Sequence, residues 1–189
     1  MKTLNTKDMN TMHVQILWQV MEELRDANQL EDALSRCLEL FCNGTKSEKG
    51  SIWMLDEQSG RTIATNVYST EDATGESAGP DEGLVGRVVK SGKSESYRAE
   101  EVQNMKLAGV DSPALNGKNV LCVPISTPKH TTGCLLLTGK ETPYTEEEAT
   151  MCEQCCSIRH LTYRTRASHS GLSRTANHWS VYAASSRNS

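Results

Sequence analysis

The chain places its strand-like apolar residues in two pairs of short alternating runs, and that pairing limits the folds open to it. The first pair is "GSIWML" at 50–55 and "TIATNVY" at 62–68, separated by the turn-forming stretch "DEQSG". The second is "NVLCVPIST" at 119–127 and "GCLLLTGK" at 133–140, joined across "PKHTT". Period-two alternation is strand spacing, and a short polar or glycine-bearing break between two such runs marks a hairpin. In the second hairpin Leu121, Val123 and Ile125 point one way, and Cys122 and Pro124 the other. Pro124 has no amide hydrogen, so its strand is expected to lie at an edge or to break there. No strand–helix–parallel-strand unit is visible. The expected fold class is therefore α+β: an antiparallel sheet with helices against its faces.

Helical spacing appears at both ends and once in the middle. Over 8–28, Met9, Met12, Ile16, Val20 and Leu24 recur every three to four residues, with Leu17 and Met21 widening the stripe. This near-heptad pattern suits either packing within the chain or a seam with a second copy. A second helix is expected over 30–42 on Leu30, Leu34, Leu38 and Phe41, with Cys37 on the same side and a stop at "NGT", 43–45. The closing segment from Thr145, "TEEEATMCEQCCSIRHLTYR", reads as a helix with Thr145 as N-cap and three glutamates in the first turn, where the helix dipole favours them. Between the hairpins lies "EGLVGRVVKSGKSESY", 82–97. Leu84, Val85, Val88 and Val89 recur there at one-turn spacing, as on a short helix over about 82–91. Yet Gly83, Gly86 and Gly92 sit in or beside it, each costing about 0.5–1 kcal/mol relative to alanine inside a helix. "SESY" is a short strand candidate. Residues 69–82 read as a surface loop, and 98–118 as mostly irregular with one helical turn near Glu100–Leu107.

Length and charge narrow the functional classes. A chain of 189 residues suits one domain. We place that domain at 1–164, followed by a tail over 165–189 in which nine of 25 residues are Ser or Thr, a composition expected to be disordered. His178, Trp179, Val181 and Tyr182 stand in that tail as an isolated cluster. Residues 157–189 hold five arginines and no acid, so of the 20 basic residues 15 remain in the body against 24 acids. An acidic body disfavours a nucleic-acid-binding face. No apolar run approaches the ~18–20 residues of a membrane span, and the N-terminus lacks the apolar core of a secretory signal. Seven cysteines, an odd number, fit free thiols in a reducing, cytoplasmic setting.

Three phrases, "DEGLVGRVVKSGKS" at 81–94, "GKNVLCVPIS" at 117–126 and "GCLLLTGKETPYTEEEATM" at 133–151, together with the element order, resemble a GAF domain, particularly those of cyclic-nucleotide phosphodiesterases and adenylyl cyclases. The resemblance spans roughly residues 20–164. It implies a sheet of about six antiparallel strands with helices on both faces. It also implies a small-molecule ligand held between the glycine-bearing helix and the sheet, with Gly83 and Gly86 letting the backbone approach closely. The other reading of those glycines is tight packing of a short helix on the sheet. Candidate ligand-binding residues are Trp53, Asn66, Gly83, Leu84, Val85, Gly86, Val89 and Cys122. Of the cyclic-nucleotide subgroup's signature, Lys140 is retained, while Gly139, Tyr144, Glu148 and Ala149 replace Asn, Phe, Asp and Glu. Lys140 and Glu148 are expected to form a surface ion pair worth at most ~1 kcal/mol.

Catalytic patterns are sparse. Gly-x-Ser-x-Gly, the P-loop and His-Glu-x-x-His are all missing. A branch with the GAF fold reduces free methionine sulfoxide with a thiolate nucleophile, but carries a cysteine in the glycine-helix phrase where this chain has Leu84. Cys122 and Cys134, on neighbouring strands, read as small apolar fillers. Cys152, Cys156 and His160 share a face of the closing helix, but one straight helix cannot wrap a tetrahedral ion, so no metal is expected. The expectation is a non-catalytic regulatory module without cofactor, paired as a homodimer through its first and last helices. A ligand-free structural dimerisation module and a methionine-sulfoxide-reductase-like thiol enzyme are the alternatives.

Overall fold

The computed structural model describes residues 6–26, 30–56, 58–68, 77–79, 82–104, 117–127 and 130–157. The proposed tail at 165–189, His160 and most of the expected 69–82 loop lie outside those residues. Two helices come first: α1 (Thr6–Asp26) and α2 (Leu30–Thr45). The hairpin β1 (Lys49–Leu55) and β2 (Thr62–Tyr68) is followed by the two-residue β3 (Ser77–Ala78) and by α3 (Gly83–Ser91). Next are β4 (Glu95–Tyr97), α4 (Ala99–Asn104), the hairpin β5 (Asn119–Ser126) and β6 (Thr131–Lys140), and finally α5 (Glu146–Cys156). The strands form one six-stranded sheet in the order β3-β2-β1-β6-β5-β4. Every pairing is antiparallel.

Alternation along the central strands sends side chains into two separate apolar layers. Ile52 and Met54 of β1, Leu121, Val123 and Ile125 of β5, and Leu135 and Leu137 of β6 pack with α1, α2 and α5. Trp53, Cys122, Cys134 and Leu136 point the other way, against α3 and α4. Consequently β6 is buried without interruption from Thr132 to Thr138, although its residues alternate in direction. Antiparallel sheets often leave one face to water. Here helices cover both, so alternation tells which layer a residue joins and not whether it is buried.

Three local expectations are settled or changed by the structure. First, α2 does not stop at "NGT" but continues through Thr45, whose hydroxyl donates to the Phe41 carbonyl at 2.8 Å. The turn closes one residue later. Lys46 takes φ 59°, and the amides of Lys46 and Ser47 donate to the carbonyls of Asn43 and Cys42, satisfying groups that a helix end leaves open. Second, β5 is not broken at Pro124. β4 pairs only with Val120, Leu121 and Cys122, so Pro124, paired with Cys134 of β6, lies where β5 has become the edge of the sheet, the other outcome expected of it. Third, Lys140 and Glu148 are not a surface pair. Their side chains are 10% and 9% exposed, and the ammonium donates to both carboxylate oxygens at 2.6 Å. The same carboxylate accepts from the Thr145 amide at 2.9 Å while the Glu148 amide donates to Thr145 Oγ1, completing a capping box at the start of α5.

Candidate functional site

Beneath α3 lies the smaller apolar layer. Trp53, Leu84, Val85, Val88, Cys122, Cys134 and Leu136 belong to it, with Val89 and Tyr97 partly buried at its margin. The structure thus brings together Trp53, Leu84, Val85, Val89 and Cys122 from the sequence-based candidates. Gly83 and Gly86 lie buried in α3 above them. Asn66 pairs through its backbone with Ile52, next to a register shift that sets Trp53 opposite Ala64. Its side chain falls outside the described residues.

Two glycines of α3 are explained by backbone conformation. Gly83 opens the helix with φ 60°, and Gly92 ends it with φ 63° and donates its amide to the Val88 carbonyl at 2.9 Å. A side chain in this left-handed region costs roughly 1–2 kcal/mol. A short helix bounded by two such residues enters and leaves at angles that keep Leu84, Val85 and Val88 facing the sheet.

Polar contacts fasten α3 at its start and at its middle. Ahead of it, Glu82 Oε2 accepts from the Gly79 amide at 2.5 Å and pairs with Arg61 at 3.2 Å, tying the helix start to β2 and to the residue after β3. On its flank, Glu95 Oε2 accepts from Arg87 at 3.1 Å and from the Tyr97 hydroxyl at 2.7 Å. Burial, with a smaller contribution from Glu95, raises the Tyr97 phenol above its ordinary value, so it stays a donor. Sequence reasoning missed this triad. Glu95 and Tyr97 alternate on "SESY", which places them on one side of a strand, but nothing local indicates that Arg87 meets them. The indole N–H of Trp53 is satisfied by Ser51 Oγ at 2.8 Å, leaving the ring as an apolar wall.

The thiols are buried. All seven cysteines are free and buried. Burial pushes Cys37, Cys42 and Cys155 up to about 12 and carries Cys122 well above its ordinary value, with the hydrogen bond its thiol donates to Cys134 adding to the rise. Such groups are poor nucleophiles at neutral pH, since the thiolate is the reactive form. Among the described residues no three His, Cys, Asp or Glu side chains converge as metal ligands. No described helix is long and apolar enough to cross a membrane.

A six-stranded antiparallel sheet with α1, α2 and α5 on one face and the glycine-bounded α3 with α4 on the other defines a layered α+β domain. The sequence matches the GAF-domain family over residues 27–157, and the chain belongs to that family. Among curated protein sequences no significant match is found. Solved structures share the fold. The GAF domain of a phosphoenolpyruvate-protein phosphotransferase from Coxiella burnetii superposes with a TM-score of 0.73 at 20% identity, covering 86% of this chain and 98% of that one. The corresponding domain from Acinetobacter gives 0.71 at 20% identity over 84% and 95%. A free methionine-R-sulfoxide reductase from Neisseria meningitidis, in complex with its substrate, gives 0.69 at 13% identity over 90% and 97%. At these identities the likeness is one of fold.

Proposed function

We propose that this GAF domain is a non-catalytic cytoplasmic module that senses a small molecule, held between α3 and the sheet against Trp53, Leu84, Val85, Val89 and Cys122. The observation that carries the reading is the separate apolar layer beneath α3. It is divided from the main core by the sheet and roofed by a helix fastened at its start through Glu82 and at its middle through the Arg87–Glu95 contact. A ligand entering there is expected to shift α3 relative to the sheet without dismantling the α1–α2–α5 side, and a differential affinity for the two positions is the signal. Cyclic nucleotides are one ligand class to test. The burial of all seven thiols, which raises Cys122, supports a non-enzymatic role over the thiol-reductase alternative.

The test is native mass spectrometry of the purified chain, followed by denaturation, together with Val85→Trp, which adds bulk to the layer under α3. A small-molecule mass released on unfolding, and lost in Val85→Trp, supports the reading. A chain that carries nothing, and whose melting temperature no cyclic nucleotide shifts, favours a ligand-free structural module. Turnover of free methionine sulfoxide that disappears in Cys122→Ser would establish the enzyme instead.

A further inference from the structure

Among the described residues five large apolar side chains stand exposed, and four of them, Met12, Val14, Trp18 and Met21, lie on α1. Val14 and Trp18 are each 63% exposed and Met21 52%, at a spacing of four and then three residues that sets them on one side of the helix. Single apolar residues on a surface need no explanation, whereas a contiguous strip marks a binding surface. Beside this strip runs a groove of about 380 Å³ between α1 and α5, lined by Val14, Leu17 and Met151. Glu146 and Glu147 line it too, and neither carboxylate has an ion-pair partner among the described residues. His13 completes the lining, and its buried Nε2 has no hydrogen-bond partner.

A segment of this chain matches that surface. Residues 158–189 lie beyond the described residues. Three of the four large apolar residues in 165–189, Trp179, Val181 and Tyr182, fall within four positions. Around them residues 157–189 carry five arginines and no acid, the charge opposite to Glu146 and Glu147.

We propose that residues 178–182, "HWSVY", dock in the groove between α1 and α5 of their own chain, with Arg174 and Arg187 on either side answering its acidic edge. Reach is no obstacle. Twenty-one residues separate Cys156, the last of α5, from His178, and an extended chain covers about 3.3 Å per residue. The groove lies beside the last two turns of that same helix, at Thr150, Met151 and Gln154. A segment tethered so near its site has an effective concentration on the order of millimolar, so modest contacts suffice. Aromatic anchors dominate the energy of such interfaces, and Trp179 and Tyr182 supply two. Trp179, Ser180 and Tyr182 also bring side-chain hydrogen-bonding groups to a groove where His13 Nε2 lacks a partner. Size agrees. A volume of about 380 Å³ is near the lower end of the ~300–1,000 Å³ of small-ligand sites, room for a few side chains and not for a whole helix. A docked tail covers the side of α1 and α5 that a second copy would need, so each occupant excludes the other. The docking does not depend on a ligand beneath α3.

Fluorine NMR of the full chain labelled with fluorotryptophan tests this. Its three tryptophans report on three places: Trp18 on the strip, Trp53 beneath α3 and Trp179 in the tail. In Trp179→Ala the Trp18 resonance should move while Trp53 stays in place. In Thr150→Arg, an exposed change that puts a bulky cation in the groove, the Trp179 resonance should gain the solvent isotope shift of a water-exposed ring. Both effects should persist on dilution, since the contact lies within one chain. A Trp18 resonance indifferent to Trp179→Ala overturns the proposal, as does a Trp179 ring already water-exposed in the wild-type chain or untouched by Thr150→Arg. Effects that vanish on dilution overturn it too, and place the contact between copies. Should Thr150→Arg fail to fold, Trp179→Ala alone decides.

Discussion

Replacing Lys140 with Met should destabilise this domain far more than loss of an exposed ion pair would. In the folded chain the ammonium satisfies both oxygens of Glu148 at 2.6 Å, and both side chains are nearly out of water. Without Lys140 the carboxylate keeps one described donor, the Thr145 amide, and remains buried. Stranding one member of a buried pair costs about 3–5 kcal/mol. Lys140 also lies 5.5 Å from the centroid of the Tyr144 ring. The Tyr144 hydroxyl bonds Ser47 Oγ at 2.7 Å, and Ser47 bonds Thr45 Oγ1 at 2.7 Å, so the α5 cap is joined through side chains to the end of α2. Disturbing the ring adds up to about 1 kcal/mol. For a chain of this size each kcal/mol shifts the melting temperature by about 2–4 °C, so the single substitution should lower it by roughly 6–24 °C. The double variant Lys140→Met with Glu148→Leu strands no charge and loses chiefly the reciprocal cap, worth about 1 kcal/mol. It should be markedly more stable than Lys140→Met alone. Urea titrations of the four chains of this cycle, cross-checked by calorimetry, measure the coupling directly. A single-variant loss under about 1 kcal/mol, the range of exposed pairs, would refute the reasoning. Strict additivity in the double variant would refute it equally.

The buried thiols make stability depend on pH on the alkaline side. Cys37, Cys42 and Cys155 sit near 12 in the folded chain against 9.0 ordinarily, so below about pH 9 both states hold their protons and nothing is lost. Above it the unfolded chain releases protons that the folded chain keeps, and stability falls by up to ~1.4 kcal/mol per thiol per pH unit. Urea midpoints should therefore drop steeply between about pH 9 and pH 10, and less steeply in Cys37→Ala; a flat profile would contradict the burial argument. Gly92→Ala forces a side chain into φ 63° and brings its Cβ 3.2 Å from Thr131 Oγ1, so it should cost roughly 1–2 kcal/mol in the same assay. Gly92→Asn, which tolerates that conformation better, should cost less.

Local sequence determined the elements and much of their detail. Spacing alone placed both hairpins, the three long helices and the short α3. Thr145 as N-cap and the three glutamates after it announced the start of α5, because a cap and its dipole partners lie within one turn. Alternation also divided β5 correctly, with Leu121 and Val123 in one layer and Cys122 in the other. Each of these depends on residues a few positions apart, whose relative directions the backbone period fixes.

Tertiary structure decided what covers each side and which distant groups meet. Lys140 and Glu148 look like surface residues in sequence, yet β6, α5 and the Tyr144 segment enclose them. Arg87, Glu95 and Tyr97 form one contact only because α3 crosses the end of β4. The register shift between Ile52 and Trp53 changes which residues of β2 lie opposite β1, and such a bulge arises from the pairing of two strands, which the alternation within each strand does not record. On α1 the sequence shows a stripe that suits burial on either side, and only the packing of α2 and α5 reveals that Val14, Trp18 and Met21 remain outside. Periodicity records which residues share a side; burial depends on the element that arrives there, often from a hundred residues away in the chain.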